Sequence, residues 1–141
     1  MSQLTLDVAN RIIATALARA NQLGFRPMGI VVVDDAGHLK SAQRQDGASM
    51  FRIDVATGKA WAAVAFGASS RELAGRAQDN PNFFTTLAAT AHGRFLPHTG
   101  AVLIKDGEGR VLGAAGASGG TGDEDESICI AGIQAAGLHH G

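Results

Sequence analysis

The densest cluster of groups able to hold charge or move protons is Asp123–Glu126, four consecutive carboxylates directly after the glycine-rich turn Gly113–Gly122. A strand, a glycine turn and a helix start in that order can form an anion site, because free N–H groups converge at a helix N-terminus. Here the carboxylates already occupy that favourable field, and a phosphate would meet several like charges at close range. The spacing also matches neither G-x-x-x-x-G-K-[ST] nor G-x-G-x-x-G. Nucleotide phosphate binding is therefore set aside. Thr121 and Glu124 have the spacing of a capping box, and Asp123 is a good cap in its own right. The remaining acidic groups are free for a cation, a basic side chain of a neighbouring subunit or a substrate hydroxyl.

The other chemically capable residues are scattered. Of the five histidines, His139 and His140 lie in the terminal tail and read as solvated, and His38 reads as an exposed residue of a hairpin strand. His92 and His98 bracket a Gly/Pro-bounded segment and could present imidazoles to a pocket. No H-x-x-x-H or H-E-x-x-H spacing supports a zinc site, and no second cysteine exists to complete one. A single imidazole on haem iron needs no such motif. Lys59 sits among small residues and either snorkels to solvent or meets a pocket anion. Arg44 and Asp46 close the first hairpin, as a surface pair or as the rim of the same pocket. Ser118 has the G-x-S-x-G spacing in Gly116–Gly120, but no strand–nucleophile–helix elbow in a parallel sheet follows from this topology, which discounts a serine hydrolase. The lone Cys129, between Ile128 and Ile130, reads as a buried, inert thiol.

The elements that must position these groups follow from periodicity. Apolar residues at three- and four-residue steps (Val8, Ile12, Ala16, Leu17, Ala20, Leu23) predict a helix over Leu6–Leu23, with Thr5 or Ser2 as cap and Gly24 as stop. Met28–Val33 reads as a strand, Asp34–Gly37 as a turn and His38–Arg44 as the antiparallel return. Ser49 is expected to cap a helix over Met50–Phe66, with Phe51, Val55, Ala62 and Phe66 on one broad face and Ala-rich positions that permit close helix–sheet packing. Ser69 and Glu72 have capping-box form and open a short helix to Ala77; Phe83–Ala91 reads as another. Ala101–Ile104, a turn at Lys105–Gly109, and Arg110–Ala117 form a second hairpin, followed by a helix from Asp123 to Ala136. Strand–turn–strand–helix thus occurs twice, which points to an α+β fold with an antiparallel sheet.

At 141 residues with a net charge of −1, the chain suits one domain, taken as residues 1–141. Without a Lys/Arg cluster, nucleic-acid binding is not expected. Near-neutrality leaves self-association plausible. There is no basic, apolar leader, and no apolar run approaches the ~20 residues of a membrane span. A cytoplasmic location without membrane contact is the expectation.

Several segments together resemble one family. Val31–Leu39 (VVVDDAGHL), Arg44–Ala48 (RQDGA), Gly58–Ala60 (GKA), Gly107–Gly120 (GEGRVLGAAGASGG) and Asp125–Glu126 occur in order across the chain. The pattern is similar to GlcG/HbpS-like proteins, a small haem-binding and glycolate-operon-associated family related to the C-terminal domain of PduO-type proteins. The resemblance implies a five-stranded antiparallel sheet flanked by helices, profilin-like in outline, and homo-oligomers. This chain departs from the family at Gln45, where Met is common, and at Thr99-Gly100, where Gly-Gly is common. The Thr99 change adds a hydroxyl and a Cβ at the expected pocket mouth.

Two functions follow from the resemblance together with these residues. In one, an oligomeric accessory protein binds haem or a small carboxylated metabolite near Thr99, Gly100 and Lys59. His92 or His98 is then the candidate iron ligand, and Lys59 or Arg44 pairs a carboxylate. In the other, a small cofactor-free isomerase, lyase or hydratase acts on an oxygenated carboxylic acid. There Glu126 or Asp125 is the general base, provided that burial raises its pKa.

Overall fold

The computed structural model describes residues 3–141. Apolar periodicity folds Leu6–Gln22 into helix α1, and the Thr5 hydroxyl caps it by accepting the Val8 N–H at 3.1 Å. Ser2, the alternative cap, lies outside the described residues. Strands β1 (Gly29–Asp34) and β2 (Leu39–Arg44) form the first hairpin, and β3 (Ala101–Lys105) and β4 (Val111–Ser118) the second.

Both hairpin turns are built by one device. Asp34 Oδ1 accepts the N–H groups of Ala36 and His38, two and four residues on. Asp106 Oδ1 does the same for Glu108 and Arg110, and its Oδ2 takes the Arg110 Nε–H as well. A carboxylate collecting several N–H donors is stabilised in its charged form, and both groups lie below the ordinary carboxylate value.

The sheet order is β2-β1-β4-β3-β5, antiparallel throughout. The fold is α+β, as expected. The fifth strand is His139–His140, which pairs with Lys105 and Ile104. The tail read from sequence as solvated is therefore stitched to the sheet edge, although both imidazoles remain exposed.

Side chains alternate between the two faces of the sheet. Ile30, Val32, Val102, Ile104, Ala115 and Ala117 pack on α1 and on α5 (Gly122–Ala135). Val31, Val33, Ala101, Leu103 and Ala114 pack on α2 (Phe51–Phe66). Of the face expected to be apolar, Ala62 is buried, but Phe51 and Phe66 are 57% and 38% exposed. Ala56, Ala60 and Ala63 face the sheet instead, because α2 lies very close to β4: a Cβ on Gly116 would stand 2.5 Å from the Ala56 carbonyl oxygen. Ser49 does not cap α2 in the expected way. Met50 takes the cap position with helical dihedrals, and the Ser49 hydroxyl accepts the Phe51 N–H at 3.2 Å.

Helices α3 (Ser70–Asp79) and α4 (Pro81–Thr90) carry a smaller cluster of Leu73, Phe84 and Phe95 with Ala62 and Ala68. Ser69 caps α3 by accepting the Glu72 N–H, but the Glu72 side chain pairs with Arg76, so only half of the capping box forms.

Two glycines test this packing in opposite directions. Gly132 lets α5 meet α1, and a Cβ there would run into the Ile12 carbonyl. Gly132→Ala is expected to lower stability by about 1–3 kcal/mol through overpacking. Gly75 lies inside α3 with nothing within 4 Å of an added Cβ, so Gly75→Ala should gain up to about 1 kcal/mol from helix propensity. Urea denaturation of both variants measures the two shifts.

Candidate functional site

Lys59 is directed from α2 to the end of the sheet, where its Nζ donates to the Ala117 carbonyl and to Asp125 Oδ2, each at 3.1 Å. Asp125, in the first turn of α5, also accepts the Gly120 N–H on Oδ1 at 2.9 Å. The two side chains are among the most deeply buried charges present, at 6% and 2% exposed. Gly100 makes room for the ammonium: a Cβ there would lie 2.6 Å from Lys59 Nζ, and its φ of 141° suits glycine. Burial pushes the Asp125 carboxyl above its ordinary value, and the Lys59 charge and the Gly120 N–H pull it only part of the way back. Cys129, one turn further along α5, is wholly buried with Sγ 3.8 Å from the Gly100 carbonyl oxygen; burial pushes its thiol up as well. Such a thiol is inert.

Two donors of the glycine turn are committed to carboxylates of α5 itself. The Gly120 N–H goes to Asp125 and the Thr121 N–H to Glu124 Oε1, while the Thr121 hydroxyl accepts the Glu124 N–H to complete the capping box. This turn is a closed corner and not a phosphate cradle.

A polar cleft of about 440 Å³ opens over the buried pair, with Arg52, His98, Thr99 and Ser118 in its lining. The Arg52 Nη1 donates to Ser118 Oγ at 2.9 Å. A second cleft of about 440 Å³ lies between α3 and α4 and is largely apolar, bounded by Ala74, Ala77, Phe84, Phe95 and Pro97. Leu96 and His98 line both clefts.

The structure thus gathers Lys59, Asp125, His98 and Thr99 around one cleft, with Gly100 packed against the Lys59 ammonium. It leaves the other sequence-derived residues elsewhere. Arg44 and Asp46 line a different cleft beside Asn21, Phe25 and Pro27, and Arg44 donates to the Ala48 carbonyl at 2.6 Å. His92 follows α4 at a φ of 58°, is exposed, and lines neither cleft over the pair nor the one between α3 and α4. Glu126 and Asp123 both pair with Arg71, tying the start of α5 to α3. Arg52 was not anticipated. Its signal was present, since it precedes Lys59 by seven residues, two helical turns along the same face. Among the described residues, no group of three or more His, Cys, Asp or Glu side chains could hold a metal ion, and no helix is long and apolar enough to cross a membrane.

Residues 4–134 match the family model described as haem degrading protein HbpS-like. The crystal structure of the PduOC–haem complex superposes with a TM-score of 0.86 at 26% identity, covering 97% of each chain. A double mutant of Streptomyces reticuli HbpS gives 0.81 at 29% identity, covering 96% of this chain and 88% of that one. A 15.0 kDa protein of the dhaT-dhaS intergenic region of Citrobacter freundii is 27% identical over 128 residues, which is 91% of this chain and 88% of that protein.

The pair can be tested by separating its partners. Asp125→Leu alone leaves a buried ammonium without its counter-charge and is expected to cost about 3–5 kcal/mol, most of which the Lys59→Met/Asp125→Leu double variant recovers. Urea titrations of the three proteins give the coupling. Because the folded value of Asp125 is raised, native protein holds this proton more tightly than the unfolded chain. Its contribution to stability is full below 3.8, the ordinary value, and is lost as pH rises through the folded value. The stability of wild type relative to Asp125→Asn should therefore decline with rising pH across that window.

Proposed function

The chain belongs to the HbpS-like family, and on that premise we propose that it is a small-ligand-binding accessory protein whose ligand is haem. The observation that carries this reading is the position of His98, an exposed imidazole on the edge of an apolar cleft. The residues present fit the group. One imidazole suffices as an axial ligand, and Phe84, Phe95, Leu96 and Pro97 offer apolar surface to a macrocycle. Bound haem supplies a redox-active iron. His98 would hold the iron, and the aromatic and aliphatic side chains of the cleft would keep water from it. Lys59 is committed to Asp125 and Arg44 lines another cleft, so neither is assigned to the haem carboxylates.

The similarity to PduOC, solved with haem, supports the ligand. A net charge of −1 and the exposed Leu39, Met50 and Phe51 support self-association into a homo-oligomer.

The raised carboxyl of Asp125 favours a second reading, in which the polar cleft catalyses proton transfer on an oxygenated acid. Against it, both Asp125 oxygens are bonded, to Lys59 and to Gly120, and Glu126 is held by Arg71.

Titration with haemin should give a saturable Soret shift that is lost in His98→Ala and retained in His92→Ala. No shift in the wild type, or an unchanged shift in His98→Ala, removes this assignment.

A further inference from the structure

The polar cleft contains one charge that nothing answers. Lys59 and Asp125 neutralise each other, and Asp123 and Glu126 are taken by Arg71. Glu124 is turned back onto the Thr121 N–H. Arg52 has no carboxylate within 4.0 Å among the described residues, and its one side-chain bond runs to Ser118 Oγ. A guanidinium carries five donors in a planar fork, so most of its capacity is unspent.

The hydroxyls beside it are also uncommitted. Ser118 is 2% exposed and accepts from Arg52, while its own hydrogen meets no acceptor among the described residues. Thr99, on the same cleft, makes no side-chain hydrogen bond there either. An unanswered cation, a nearly buried hydroxyl with a spare donor and a second free hydroxyl therefore line one cleft of about 440 Å³. That volume suits a small organic molecule.

We propose that this cleft binds a small organic monocarboxylate, with Arg52 pairing its carboxylate and Ser118 and Thr99 donating to its oxygens. The charge selects a monoanion. One guanidinium matches one carboxylate in fork geometry, whereas a phosphate dianion would bring a second negative charge for which the cleft has no further free cation among the described residues, Lys59 being held by Asp125. The site lies beyond the haem reading and does not require it, because its polar groups are distinct from the apolar surface between α3 and α4.

The test uses the full, haem-free chain and isothermal titration with acetate, lactate and inorganic phosphate at constant ionic strength. Acetate or lactate should bind saturably, and phosphate far more weakly. Arg52→Gln should weaken carboxylate binding roughly tenfold to a hundredfold, the scale of a lost charge-assisted hydrogen bond. Arg52→Lys should fall between the two, because an ammonium keeps the charge without the fork. An unchanged urea midpoint in both variants separates loss of the site from loss of the fold. A phosphate affinity equal to that of the carboxylates overturns the ligand class. Absence of saturable carboxylate binding, or equal affinity in wild type and Arg52→Gln, overturns the site. A haemin titration of Arg52→Gln distinguishes the source of the carboxylate. An unchanged Soret shift leaves a free metabolite as the ligand. A shift lost in Arg52→Gln, with no binding of free carboxylates, assigns Arg52 to a haem propionate and overturns the proposal.

Discussion

Lys59 and Asp125 join α2, on one face of the sheet, to the start of α5 on the other, and the join is made where both charges are almost wholly withdrawn from water. Much of the surrounding structure serves that contact. Gly100 leaves the space that the ammonium fills, the Ala117 carbonyl takes a second of its hydrogens, and the Gly120 N–H satisfies the other carboxylate oxygen. A buried pair of this kind is tolerable only when its remaining donors and acceptors are met, because desolvating two ions costs several kcal/mol each. The close approach of α2 to β4 over Gly116, with alanines in place of aromatics, brings Lys59 near enough to make the bond.

With the corner closed, the chemistry moves to its edges. The segment from Phe95 to Gly100 runs between the two helical layers and carries His98 to the boundary of an apolar cleft and a polar one. The apolar cleft is bounded by α4, a helix with a single buried residue, Phe84. That ring packs against Phe66, Phe83 and Phe95 with centroids 5.3 to 6.0 Å apart. The polar cleft is instead fixed by α2 and the glycine turn. One loop thus lines two clefts, one largely apolar and one that carries Arg52, Thr99 and Ser118.

Much of the fold was legible residue by residue. The D-x-x-G signature at Asp34–Gly37 and again at Asp106–Gly109 specifies the same turn twice, because a carboxylate bonds the N–H groups two and four residues on. Thr121 and Glu124 announce the start of α5 for an equally local reason. The misreadings share a cause. Hydrophobicity places Phe51 and Phe66 on the broad apolar face of α2. The close contact with β4 is made by the alanines, whose packing the sequence did suggest, and leaves both rings partly exposed. His139 and His140 carry no strand pattern of their own and pair only because β3 offers a free edge.

The sequence by itself determined most element types, both hairpins, the caps at Thr5, Ser69 and Thr121, and the family, since these rest on contacts within a few residues or on ordered motifs along the chain. It also named Lys59, Asp125, His98, Thr99 and Gly100 as residues of interest. Only the tertiary structure decided which of them meet. Lys59 and Asp125 are sixty-six residues apart, as are Arg52 and Ser118; Glu126, adjacent to Asp125, turns to Arg71 instead. Successive helical residues point in directions about 100° apart, so neighbours in sequence face different surroundings. Which surroundings those are depends on how the layers stack, and no local pattern encodes that.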